Sequence, residues 1–173
     1  MVSPPILSDC PTCRCETGKR IVKNIRVLIA MLGLDQHEVG AIAVAGILRD
    51  AGMEVVYAGR FNLPRGVVKT ALEESIDVIG LSAHSWEYLY YLDELLALLR
   101  EQELDIPIIV GGSVVTPGDA QALLDKGVRA AFGPTATPDE IIATVKQLAA
   151  GGGCDATDDA STGTGTGPAG PHE

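Results

Sequence analysis

The chain has 173 residues, enough for one ordinary domain with its own core and a tail. Hydrophobic residues make up 46% of it, yet no apolar run approaches the ~20 residues of a membrane helix, and the first residues lack the basic-then-apolar pattern of a signal peptide. A formal charge of −10 without any Lys/Arg cluster argues against nucleic acid and anionic membranes as partners and leaves the cytoplasm as the expected location.

Residues 1–24 read as an N-terminal arm carrying Cys10, Cys13 and Cys15. Zinc sites ordinarily take four ligands in two paired clusters; a single cluster of three with no nearby His reads as reduced thiols, with metal or cluster binding as the alternative. Arg26–Leu32 is an apolar run of the kind buried on both faces, the first strand. After a loop through Gly33, residues Val39, Ile42, Ala43, Gly46 and Ile47 recur at helical spacing and stop at Gly52, a C-cap signal. Glu54–Tyr57 reads as the second strand, and Pro64 suits the first turn of the next helix. Asp77–Ser82 is the third strand, and Leu89, Leu92, Leu95, Leu96 and Leu99 form the stripe of a long third helix. Pro107–Val110 is the fourth strand, ending in Gly111 and Gly112. Leu123 and Leu124 mark a fourth helix closed by Gly127, Ala130–Phe132 is a fifth strand, and Pro138 opens a last helix with Ile141, Ile142, Val145 and Leu148. Residues 151–173, including Cys154, are mostly Gly, Thr, Ala and Asp; such a tail buries too little to offset its ordering entropy and is expected to be disordered.

Alternating strands and helices over residues 25–150 predict one α/β domain: a flavodoxin-like, doubly wound, five-stranded parallel sheet of order 2-1-3-4-5. Ligands of such sheets bind beyond the carboxyl ends of the strands, which directs attention to loops 33–40, 82–87, 111–117 and 133–138. A dinucleotide-binding Gly-x-Gly-x-x-Gly is absent after the first strand, and Ser82 stands where a receiver domain would carry its acceptor Asp.

Loop 33–40 contains Asp35-x-His37-x-x-Gly40. A His two residues after an Asp can give one ring N–H to the carboxylate and leave the other nitrogen for a metal; alone, the same pattern fits a helix cap with a surface His equally well. Ser82-x-His84 and Gly111-Gly112 follow in order, each at the end of a predicted strand. Together these three elements resemble the D-x-H-x-x-G, S-x-L, G-G signature of cobalamin-binding domains, over roughly residues 25–150.

The resemblance implies that His37 is the lower axial ligand of cobalt, displacing the cofactor's own dimethylbenzimidazole, with Asp35 orienting it and Gln36 lying in the same loop. It implies that Ser82 hydrogen-bonds the displaced base in a slot, that Gly111 and Gly112 line this slot because side chains there would meet the nucleotide tail, and that Thr135 helps hold the nucleotide end. The chain departs from the signature at two places. His84 replaces Leu, either as a filler beside the slot or as a new polar contact to the tail. Met31 replaces the Lys found four residues before the Asp in many acyl-CoA mutases, which leaves Asp35 short of one charge partner. Trp86, Tyr88, Tyr90 and Tyr91 are either packing or a docking surface.

The stretches Gly-Leu-Asp-Gln-His, Leu-Arg-Asp-Ala-Gly-Met-Glu-Val and Phe-Gly-Pro look most like the cobalamin domain of methylmalonyl-CoA mutase and its relatives. That implies an isomerase subunit that binds adenosylcobalamin, is inactive alone, and presents the cofactor to a separate large TIM-barrel subunit for a radical 1,2-rearrangement, with a cofactor-loading G-protein chaperone as a further partner. A non-enzymatic cobalamin carrier or sensor is the competing reading.

Overall fold

The computed structural model describes residues 24–151; the arm with Cys10, Cys13 and Cys15, and the tail with Cys154, lie outside the described residues. Ten elements alternate: β1 (Arg26–Leu32), α1 (Glu38–Asp50), β2 (Glu54–Asn62), α2 (Pro64–Glu73), β3 (Val78–Ser82), α3 (Glu87–Glu101), β4 (Ile108–Gly111), α4 (Pro117–Lys126), β5 (Ala130–Phe132) and α5 (Pro138–Gly151). The strands form one parallel sheet in the order β2-β1-β3-β4-β5, the doubly wound topology expected. Helix α5 continues through Gly151, the first residue assigned to the tail.

Alternation along the strands divides the core into two layers. Leu28, Ala30, Leu32, Ile79, Leu81, Ile108 and Val110 face α2, α3 and α4, while Val27, Ile29, Met31, Val78 and Ile109 face α1 and α5. Pro64 begins α2, and Gly127 ends α4 in the left-handed conformation with φ 111°, as their residue types dictate.

Three elements differ from their sequence patterns. Strand β2 runs on to Asn62 instead of ending at Tyr57; its register against β1 slips twice, around Gly59 (φ 75°) and Phe61 (φ 63°), so alternation is lost while pairing persists. In α3 the buried positions are Tyr88, Leu92, Leu95 and Leu99, so Tyr88 rather than Leu89 starts the inner stripe. In α1 the buried residues are Ala41, Ala45 and Leu48, whereas Val39 and Ile42 of the expected stripe are exposed. This helix is apolar nearly all round, and the face of small residues is the one that approaches the sheet.

Candidate functional site

The loop between β1 and α1 is organised by Asp35, the one polar or charged residue buried among the described residues. Its Oδ1 accepts from the backbone N–H of His37 at 3.0 Å and pairs with His37 Nδ1 at 3.0 Å; its Oδ2 accepts from the backbone N–H of His84 at 2.7 Å. Burial pushes the Asp35 carboxyl upward, but the amide bonds from His37 and His84, the His37 ring bond and the charge of His84 together hold it below its ordinary value of 3.8. Asp35 is therefore an ionised acceptor at neutral pH. An ionised carboxylate can only accept, so Nδ1 of His37 carries the proton, and in the neutral ring Nε2 keeps its lone pair. The carboxylate is 3% exposed and the imidazole 70%, a buried anchor beneath a presented ligand atom. His37 is itself the N-cap residue of α1 and makes no side-chain cap bond, which decides against a simple capping role.

The structure supplies the partner that Asp35 lacks in sequence. Met31 is fully buried in the α1/α5 layer, and the His84 amide satisfies the second carboxylate oxygen. This bond joins loop 33–37 to the loop after β3. A reciprocal bond runs the other way, since Glu87 Oε2 at the head of α3 accepts from the Leu34 N–H at 2.8 Å. The left-handed backbone of Gly33 (φ 70°) favours glycine at this junction, and a Cβ there would press on the ends of the Tyr91 and Glu87 side chains, at 2.8 Å from Cε2 and 2.9 Å from Oε2. Glu87 was not singled out from sequence, and no local pattern marks it.

Beside His37, a cavity of about 330 Å³ opens between the sheet and helices α1 and α5. Its floor is Ile29, Gly80 and Ile109; α1 contributes Gly40, Ala41, Val44 and Ile47, and α5 contributes Ile141. Ser82, His84, Gly111, Gly112 and Pro134 line its end at the carboxyl edge. Gly80 also belongs to this site, and its sequence signal is a glycine inside the buried strand Val78–Ser82.

The two adjacent glycines do different work. A Cβ on Gly111 would meet only ordinary contacts, Phe132 Cβ at 3.6 Å, so the protein itself leaves room for a side chain there. A Cβ on Gly112 would fall 1.7 Å from the Ala83 carbonyl oxygen, so backbone packing by itself demands a glycine at this point of the cavity lining.

His84 lines the cavity, and its ring lies 5.7 Å from that of His37, with 23° between their planes. Ser82 is half-buried on the same wall. Gln36 is exposed, and its carbonyl accepts from Glu38 N–H at 3.0 Å. Thr135 is exposed and outside the cavity lining, which its neighbours Pro134 and Ala136 join. The aromatic cluster divides: Tyr88 is core, Tyr91 packs at Gly33, and Trp86 and Tyr90 face solvent.

Asp35, His37, His84, Ser82 and the glycines thus meet at one place, an exposed imidazole nitrogen beside an apolar slot. That arrangement suits a metal held in a macrocycle with an appendage that ends in a flat aromatic group, which needs one protein ligand and a slot for that group. Comparisons with known proteins agree. The chain is 40% identical over 129 residues to the 2-hydroxyisobutanoyl-CoA mutase small subunit of Aquincola tertiaricarbonis, covering 75% of this chain and 95% of that protein. It is 40% identical over 126 residues to the pivalyl-CoA mutase small subunit of Xanthobacter autotrophicus, covering 73% and 84%. Among solved structures, a cobalamin-binding protein from Desulfitobacterium hafniense DCB-2 shares the fold with a TM-score of 0.63 at 20% identity, over 73% of this chain and 60% of that one. Residues 25–143 match the B12 binding domain, and the chain belongs to that family.

Proposed function

We propose that this chain is the cobalamin-binding small subunit of an adenosylcobalamin-dependent acyl-CoA mutase, with His37 as the axial ligand of cobalt. The observation that carries the assignment is the Asp35–His37 pair: a buried, ionised carboxylate fixes Nδ1 as the donor on an exposed imidazole, whose ring lies 5.7 Å from that of the cavity-lining His84. The site fits the group. Gly40, Gly80 and Gly111 thin the walls where a flat aromatic tail would enter, and Ser82 offers the slot a hydroxyl. Among the described residues no three His, Cys, Asp or Glu side chains gather into a cage for a bare ion.

When bound, adenosylcobalamin supplies a cobalt–carbon bond for radical chemistry. The chain's own residues have narrower tasks: His37 ligates, Asp35 holds its tautomer, Ser82 and the glycines take the displaced base, and Asp35 and Glu87 lock the two loops together. Substrate binding falls to a large mutase subunit. The rim around His37 supports that division, because Leu34, Val39, Phe61, Leu63, Trp86 and Tyr90 are all exposed around the carboxyl edge, and a face of this kind suits burial against a partner. No helix among the described residues is long and apolar enough to cross a membrane, and the reading carries with it a cytoplasmic location and a G-protein chaperone that loads the cofactor.

The test of ligation is the electron paramagnetic resonance spectrum of the protein loaded with cob(II)alamin. Labelling the histidines with nitrogen-15 should change the axial nitrogen splitting from a triplet to a doublet, and His37→Ala should abolish the effect of the label. A spectrum indifferent to the label removes His37 from cobalt. For the assignment as a mutase subunit, the loaded chain alone should be inactive and should turn over a short branched acyl-CoA once the cognate large subunit is added. Absence of turnover across methylmalonyl-, isobutyryl- and hydroxyisobutyryl-type thioesters favours a carrier or sensor.

A further inference from the structure

His84 occupies an unusual position between the two parts of the site. Its backbone N–H is tied to Asp35 Oδ2 at 2.7 Å, so the residue is fixed to the carboxylate that orients His37. Its ring lies over the ring of His37 and borders the cavity. The Cε1–Nε2 edge is turned against α1: a Cβ on Gly40 would lie 3.1 Å from Cε1 and 3.5 Å from Nε2. A side chain at position 40 would push this edge back by a few tenths of an ångström. The remaining polar atom, Nδ1, is buried and has no hydrogen-bond partner within the protein. A buried ring nitrogen without a partner forfeits its hydration for no return, whereas a leucine would cover the same wall without that cost.

We infer that His84 is a specificity-determining residue for the nucleotide tail of the cofactor, its Nδ1 making a hydrogen bond to a polar atom of the tail lodged in the cavity. The inference rests on the cobalamin reading above and goes beyond it in assigning His84 a task separate from that of His37. His37 acts on the metal and would serve any corrinoid. His84 acts on the appendage, and distinguishes a cofactor with a nucleotide tail from one without.

Two probes separate these tasks: adenosylcobalamin, and adenosylcobinamide, which has the same corrin and cobalt but no nucleotide. Wild-type protein, His84→Leu and His84→Asn are titrated with each by calorimetry, after circular dichroism and thermal melts establish that the variants fold. His84→Leu should lose about fivefold in affinity for adenosylcobalamin, which is ~1 kcal/mol at 1.4 kcal/mol per tenfold. Its affinity for adenosylcobinamide should be unchanged. His84→Asn, whose side-chain amide can stand near the place of Nδ1, should recover most of the loss. The nitrogen-15 splitting from His37 should persist in both variants. An equal loss for the two probes, no loss for either, or disappearance of the His37 splitting in His84→Leu each overturns the proposal. Should His84→Leu fail to fold, His84→Ala replaces it with the same expected pattern. Failure of the wild type to bind adenosylcobalamin is a separate result that breaks the cobalamin reading itself.

Discussion

The two faces of the sheet are built to different ends. On the side of α2, α3 and α4, large side chains fill the layer: Leu28, Leu32, Ile79 and Ile108 from the strands meet Val67, Tyr88, Leu92, Leu95, Leu99 and Leu123 from the helices. On the side of α1 and α5, comparable packing by Val27, Leu48, Met53, Val78 and Val145 is joined by Ala41 and Ala45, and the layer opens into the cavity floored by Ile29, Gly80 and Ile109. The cavity of about 330 Å³ is open to solvent at the carboxyl edge, and the small residues Gly40, Ala41, Gly80 and Gly111 in its walls keep it deep enough to admit a flat group between sheet and helices. One side of the sheet is closed by large side chains beneath its helices, and the other leaves a slot against the strands.

Leu92→Ala strikes the packed side. It should lower stability by about 2–5 kcal/mol in urea denaturation, while cobalamin affinity, measured where the variant is folded, should stay within about twofold because the site is on the opposite layer. A matching loss of affinity would mean that the two layers are not independent. Gly112→Ala comes next. Its Cβ meets backbone that can yield only by moving the loops, so a destabilisation of roughly 1–3 kcal/mol is expected even without cofactor. An unchanged melting curve would contradict the close approach of this loop to Ala83.

Gly111→Val sharpens the contrast between neighbours. A branched side chain suits a strand and its Cβ meets only ordinary contacts, so the melting temperature should hold, but the cavity wall thickens and affinity for cobalamin should fall by more than about tenfold, over ~1.4 kcal/mol. Equal binding by variant and wild type would show that the tail does not use this wall.

The smallest effect concerns acid. The folded pKa of Asp35 is depressed, so the stability it contributes is fully present above its unfolded value near ~3.9 and disappears as pH falls through the lower folded value. The stability difference between wild type and Asp35→Asn should therefore narrow as pH is lowered from 7 to about 3. A gap that stays constant through that range would mean that the Asp35 charge plays no part in holding the loops.

Much of the fold was legible before any coordinates. β1 and β5 match their sequence runs residue for residue, Gly127 and Pro64 sit at the ends their backbone chemistry requires, and the strand-helix alternation implied the sheet order. Asp35-x-His37 was readable for the same reason, since two residues of separation suffice for the carboxylate to reach both the His37 amide and its ring. What the chain encodes within a few residues, through periodicity, turn chemistry and capping, can be read from it directly.

The rest depended on which distant segments meet. The second partner of Asp35 is an amide 49 residues away, supplied by whatever residue occupies position 84, and no residue type announces a backbone N–H. The bond from Leu34 to Glu87 spans 53 residues in the same way. Helix α1 carries apolar residues on every side, so spacing could not say that Ala41 and Ala45 go inward while Val39 and Ile42 are left on the surface. Nor could it say that Gly112 answers to Ala83 while Gly111 leaves room for a side chain, or that Thr135 stands outside the cavity. Local sequence determined the elements and the Asp35–His37 pair; the tertiary structure decided which buried polar groups find partners and on which side of the sheet room is left, because both are properties of surfaces brought together and not of any one segment.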